Sequence, residues 1–158
     1  MKKTVYVDAT IPNFLYDQRE EAQVFVKVTT TWWKEERHFF EIWASEATLD
    51  EVGSGSYPHK VQAIECASQL QLLPPDPAII EIAQTYIDQY VMPHSLKGDA
   101  LHLAYASFYK MDFLLTWNCN HLANANKHQH IAILNTRLHL AVPEITTPFQ
   151  LFHEEDLS

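Results

Sequence analysis

The chain has little glycine, only 3 in 158 residues. No glycine-rich loop is present to wrap a phosphate, which counts against nucleotide binding. Cysteine is nearly as scarce. Cys66 and Cys119 are the only two, without metal-type pairing and too few for a disulfide framework, so a reduced, cytoplasmic protein is expected. Apolar runs fall well short of the roughly 20 residues a membrane span needs. Met1-Lys2-Lys3 leads into a strand and not into an apolar signal core, so secretion is not expected. Basic residues are also few: 11 Lys and Arg stand against 20 Asp and Glu, a net charge of −9. That sign excludes gripping nucleic acid by bulk electrostatics. It leaves room for a local site, since acids clustered around a metal ion add to the negative count and a basic partner protein supplies positive surface. Repeats and low-complexity runs are missing as well.

What is present is a globular composition, 47% hydrophobic. The length suits one domain spanning residues 1–158. Thr4 to Asp8 is a β-branched apolar run ending on an acid, the mark of a buried strand. Ile11-Pro12 opens a helix, and a longer helix is expected from about Gln18 to Glu36. His38 to Ala44 reads as a second strand. Ser45 is a natural N-cap for a helix over Glu46 to Val52, which Gly53-Ser54-Gly55-Ser56 ends. Helices are expected over Pro58 to Leu70 and Ala78 to Tyr90, separated by a proline-rich turn at 73–77. A helix over Gly98 to Lys110 follows, then a strand at 113–116, a helix near 119–126, a strand from Ile131 to Leu134 and a tail at 145–153. Apolar strands alternating with helices predict an α/β fold with a parallel sheet covered on both faces. Ligands of such sheets bind beyond the carboxyl ends of the strands. That rule singles out Asp8, Ser45 with the residues after it, and Thr116 to Asn118.

Residues 98 to 124 are the most informative stretch. The segment Gly98-Asp99-Ala100-Leu101-His102-Leu103-Ala104 is apolar nearly all round, as in a buried helix, yet its first turn carries an acid. Asp8 ends the first strand, Glu51 lies on the helix leaving the second, and Thr116 and Asn118 end the third. In a parallel sheet these segments converge on one end. Clustered carboxylates raise one another's pKa and need a cation to neutralise them. Oxygen ligands of this kind suit Mg²⁺ or Mn²⁺, and a hard divalent ion so held suits phosphodiester hydrolysis. Each residue alone has a plainer reading. Asp8 fits a turn, Asp99 a first-turn acid complementing the helix dipole, Asn118 a helix cap and Glu51 a solvated charge. Glu46 and Asp50 compete with Glu51, and periodicity does not choose among the three.

Taken together, these segments resemble the PIN domain, the metal-dependent nuclease fold of VapC-type toxins. The matching pieces are the strand-ending Asp8; Ser45 through Glu51, similar to the family's Ser, five residues, Glu pattern; Gly98 through Ala104; Leu114-Leu115-Thr116-Trp117-Asn118; and the tail Glu144 through Leu151, similar to the family's closing strand. The resemblance covers nearly the whole chain. It implies a PIN-like α/β/α sandwich around about five parallel strands. It also implies an Mg²⁺ or Mn²⁺ site on Asp8, Glu51 and Asp99, with Thr116 and Asn118 positioning water or phosphate, and cleavage of RNA. It selects Glu51 over Glu46. A toxin–antitoxin pairing, an antitoxin protein as partner and a homodimer follow from the same resemblance. One departure stands out. The family usually carries an acid two residues after the strand-three Ser or Thr, and here that residue is Asn118. Its carbonyl still coordinates a hard cation but brings no charge, so metal affinity is expected to fall. A catalytically weak or inactive PIN-fold module that binds RNA or protein is therefore the alternative. Asp112, at the entry of the strand, does not substitute.

His102 lies one turn after Asp99 on the same helical face. It reads either as a donor orienting a carboxylate or the phosphate, or as a satisfied buried histidine. His121, His128 and His130 do not keep a zinc spacing. The pairs Trp32-Trp33 and Phe39-Phe40 read as core or dimer packing before base stacking. A receiver-like domain would need a strand-end Lys late in the chain, and there is none.

Overall fold

Val5, Tyr6 and Val7 have no solvent exposure at all, the condition of a strand covered on both faces. They lie in β1 (Lys3–Val7) of a computed structural model that describes residues 1–89, 91–92, 97–118 and 125–154. The other strands are β2 (Phe40–Ala44), β3 (Gln71–Leu72), β4 (Phe113–Leu115) and β5 (Glu144–Thr146). They form one five-stranded sheet in the order β3-β2-β1-β4-β5, and every neighbouring pair is parallel. Strand order therefore reverses at the boundary between β1 and β4, where open α/β sheets leave a crevice for ligands. Among the described residues, seven α-helices accompany the sheet: α1 (Thr10–Tyr16), α2 (Gln23–Glu35), α3 (Glu46–Val52), α4 (Lys60–Ser68), α5 (Pro77–Asp88), α6 (Lys97–Phe108) and α7 (Ala125–Arg137). The predicted α/β class with a parallel sheet holds. No helix of the described residues is long and apolar enough to cross a membrane.

Side chains alternate between the faces of a strand, and two apolar clusters follow from that. Tyr6 and Leu114 point into a cluster with Ile79, Tyr86, Leu103 and Ile131, from α5, α6 and α7. Val5, Val7 and Leu115 point the other way, onto Ile11 of α1 and Trp32 of α2. Burying each such large side chain contributes about 1.5–3 kcal/mol. Trp32, stacked on Phe40 with centroids 5.8 Å apart, is core as expected. Its indole donates to the carbonyl of Leu151 at 2.8 Å, which ties the C-terminal tail to α2.

Several boundaries differ from the sequence reading. Ile131 to Leu134 is not a strand but a turn of α7. Ile131 and Leu134 are buried while Ile133 is 52% exposed, a helical pattern that four consecutive apolar residues hide. One edge of the sheet is β3, a strand at Gln71–Leu72 that lies between the helix expected to end at Leu70 and the turn expected at 73–77. The expected helix from Gln18 starts later: Arg19 is extended, Glu20–Ala22 form a 3₁₀ turn and α2 begins at Gln23. The Asp17 carboxylate accepts the Arg19 amide at 3.0 Å and so holds the chain out of the helix there. The strand expected from His38 begins at Phe40, after a 3₁₀ turn at Arg37–Phe39. The helix expected near 119–126, with Cys119 and His121, falls mainly outside the described residues.

Candidate functional site

Two sequence-local devices deliver side chains to the carboxyl ends of the strands. After β2, Ser45 takes an extended backbone and its hydroxyl accepts the Ala47 amide, while Thr48 Oγ1 accepts the Ser45 amide. This reciprocal cap fixes where α3 starts, and Glu51 lies near its far end. After β1, the carboxylate of Asp8 accepts the Thr10 amide at 3.0 Å and the Thr10 hydroxyl, an Asx turn that starts α1.

Asp8 is 2% exposed. Its Oδ2 accepts the Thr116 hydroxyl at 2.5 Å from just beyond β4. Thr116 Oγ1 in turn accepts the Asn118 amide at 2.9 Å, and Asn118 Nδ2 donates to Asp99 Oδ2 at 2.8 Å. One hydrogen-bonded chain thus joins Asp8, Thr116, Asn118 and Asp99 across the boundary between β1 and β4. Asp99, on the first turn of α6, is 6% exposed. On the other side, Glu51 Oε2 lies 2.5 Å from Nε2 of His102, whose ring is fully buried, and His102 Nδ1 lies 2.7 Å from the Tyr6 hydroxyl. Of the three acids on α3, Glu51 is the one that reaches α6. All three are exposed, so what sets Glu51 apart is its contact with His102 and not burial.

The electrostatics follow from burial and neighbours. Burial raises the Asp8 carboxyl above its ordinary value and Glu51 adds repulsion, against the pull of His102 and the two threonine hydroxyls. Burial also pushes Glu51 upward, but the bond and charge of His102 and the Ala9 amide outweigh it, leaving Glu51 below the ordinary value. For His102, burial opposes the charged ring, and Tyr6, Glu51 and Asp8 together overcome it, holding the imidazole well above its usual range.

In kind, this donor set fits a hard divalent ion: oxygen ligands, two of them buried at Asp8 and Asp99, and mutually repulsive without a cation. In position it is not closed. Among the described residues no group of three or more His, Cys, Asp or Glu side chains converges to hold a metal ion. Asp8 and Asp99 are joined through Thr116 and Asn118, while Glu51 is held by His102. Asp112 lies elsewhere, accepting the Thr4 amide at 2.9 Å at the opposite end of the sheet. His128 and His130 are exposed on α7.

A cavity of about 620 Å³ opens beside Glu51, between α1 and the link from α3 to α4. Asn13, Arg19, Tyr57 and His59 are among its walls. His59 is 7% exposed, with Nε2 2.5 Å from Asn13 Oδ1. Arg19 donates Nε and Nη2 to Asp17. Sequence reasoning missed Tyr6, Thr10, Arg19 and His59. Only Thr10 left a signal, in the Asp-x-Thr turn at Asp8. Tyr6 reads as an ordinary core residue until Ser45 and His102 are seen around its hydroxyl.

No protein-family model matches the chain, and no curated protein sequence matches it. Among solved structures it is similar to FitAcB from Neisseria gonorrhoeae, with a TM-score of 0.52 and 13% identity over 93% of this chain and 99% of that one. At this identity the likeness shows the fold.

Proposed function

We propose that this chain is a PIN-type, VapC-like endoribonuclease that hydrolyses RNA phosphodiester bonds with Mg²⁺ or Mn²⁺. The observation that carries the reading is the chain of hydrogen bonds from Asp8 through Thr116 and Asn118 to Asp99, with Glu51 facing the same end of the sheet. Asp8, Glu51 and Asp99 would hold the ion. When bound, it supplies charge neutralisation at the phosphate and a more acidic water. The protein's own contribution is orientation. The Thr116 hydroxyl donates to Asp8 and accepts from the Asn118 amide, so its direction is fixed. The Asn118 side chain adds a neutral polar group next to Asp99. The cavity beside Glu51 gives the substrate strand a place to lie against Tyr57 and His59.

The same reading takes residues 1–158 as one PIN-like domain, a cytoplasmic toxin that pairs as a homodimer and is held by an antitoxin protein. RNA cleavage assayed with Mn²⁺ and with EDTA tests the activity. Cleavage is expected to vanish in EDTA and in Asp8→Asn and Asp99→Asn. Full activity in either variant sinks the proposal.

A second reading has its own support: a PIN-fold module that binds RNA or a partner protein without cutting. Asn118 carries no charge, and Asp8, Glu51 and Asp99 each already have protein hydrogen-bond partners. Calorimetry separates the two readings. Absence of divalent-ion binding at millimolar levels, with RNA or protein binding retained, favours the module.

A further inference from the structure

We propose that Tyr6 and His102 are positioning residues that hold one oxygen of Glu51 in place, leaving the other for a divalent ion. The proposal rests on the metal-site reading above.

Glu51 needs such help. It lies on the last turn of a seven-residue helix, and its side chain is 44% exposed. A glutamate there has several free torsions, and ordering such a side chain carries an entropic cost. His102 supplies the restraint from a rigid place, the fully buried middle of α6. A carboxylate only accepts hydrogen bonds. Nε2 of His102 therefore carries a hydrogen towards Glu51 Oε2 at 2.5 Å, whatever the charge of the ring.

The imidazole is held in turn. Its Nδ1 lies 2.7 Å from the hydroxyl of Tyr6, which lies 2.6 Å from Ser45 Oγ. Tyr6 is fully buried in the central strand β1, and Ser45 is the cap of the helix that bears Glu51. The path returns to its start, from α3 through β1 and α6 and back to α3. With both ring nitrogens engaged, the ring has one orientation. A flip would turn both nitrogens away from their partners. Glu51 Oε1 meanwhile faces the first turn of α6: a Cβ added at Gly98 would lie 3.7 Å from it. Asp99 is the next residue. The restraint thus sets Oε1 of Glu51 against the turn that carries the second acid.

The apolar core around Tyr6 and His102 gives no packing reason for a polar chain. Leu or Phe would fill the space, and buried polar groups in such a network are tolerated only when all are satisfied. Among the described residues no buried side-chain polar atom lacks a hydrogen bond.

The test uses Tyr6→Phe, His102→Leu and His102→Gln in the full chain, each confirmed folded by circular dichroism. Two readouts are taken: Mn²⁺ affinity by calorimetry, and the ¹³C signal of the Glu51 carboxylate in metal-free protein. Loss of an outer hydrogen bond weakens metal binding by about 10- to 100-fold. A loss of that size is expected for His102→Leu, a smaller one for Tyr6→Phe, and recovery in His102→Gln, whose amide N–H replaces the donor. Tyr6→Phe is the decisive variant, because Tyr6 does not touch Glu51, yet the Glu51 signal should move. An unmoved Glu51 signal in Tyr6→Phe overturns the proposal, as does wild-type Mn²⁺ affinity in His102→Leu. A wild-type chain that binds no Mn²⁺ overturns the metal reading, and with it the role of Glu51's second oxygen. The Glu51 signal then still reports separately whether Tyr6 and His102 hold the carboxylate.

Discussion

Asn118 Nδ2 donates to Asp99 Oδ2 across 2.8 Å. An acid at this position would face Asp99 directly and repel it, whereas the amide makes a hydrogen bond to a charged group. Such bonds contribute about 1.5–3 kcal/mol. Asn118→Asp should therefore lower the stability of metal-free protein, raise the carboxyl pKa of the pair, and tighten divalent-ion binding several-fold. Urea unfolding in EDTA and Mn²⁺ calorimetry together check this. A variant that is as stable as wild type and binds Mn²⁺ no better contradicts it.

The Glu51–His102 pair gives a pH dependence of defined sign. Against the effect of burial, Tyr6, Glu51 and Asp8 hold His102 well above its ordinary value. Its contribution to stability is complete below the ordinary histidine value of about 6.5 and is lost as pH rises through the folded value. Glu51 is held below its ordinary value, so its share is present above the ordinary carboxylate range and lost as pH falls through the folded value. Metal-free protein should lose stability on the alkaline side, and Glu51→Gln should flatten that limb. Thermal unfolding across pH in EDTA reads both.

Tyr86 ties α5 to α6 and α7. Its hydroxyl lies 2.7 Å from Asn135 Oδ1 and 3.0 Å from Ser107 Oγ, all buried. Burial pushes its phenol up to about 12 against the two hydrogen bonds. Tyr86→Phe leaves the Asn135 carbonyl oxygen without this donor and should cost about 1–3 kcal/mol. Chemical denaturation measures the loss. RNA cleavage should be unaffected, because the network lies away from Asp8 and Glu51.

The cavity beside Glu51 predicts a split in kinetic effects. Arg19 and His59 are among its walls, and Asp8 and Asp99 are not. Arg19→Ala and His59→Ala should raise KM for RNA several-fold and change kcat little, as expected for groups that bind ground and transition states alike. A loss confined to kcat would place these residues in the chemistry instead.

Much of this molecule was legible locally. The apolar run before Asp8, the Ser45 cap of α3, the proline-rich turn before α5, and the acid-led α6 are all set by neighbours within a few residues. Side-chain caps and strand patterning act over such distances. Asp8, Thr116 and Asn118 could be named because the strands of a parallel sheet end on one side, Asp99 because it is the one acid opening an apolar helix, and Glu51 only through the family resemblance. Other features depended on distant partners. Ile131 to Leu134 is helical because Ile131 and Leu134 pack on the core, and β3 exists only because β2 offers it an edge. The contact of Glu51 with His102 required α6, and the role of Tyr6 required Ser45, 39 positions away, and His102, 96 positions away. The sequence by itself determined which residues end β1, β2 and β4. The tertiary structure decided which of them touch, because buried hydrogen bonds between separate elements have no signature in local spacing.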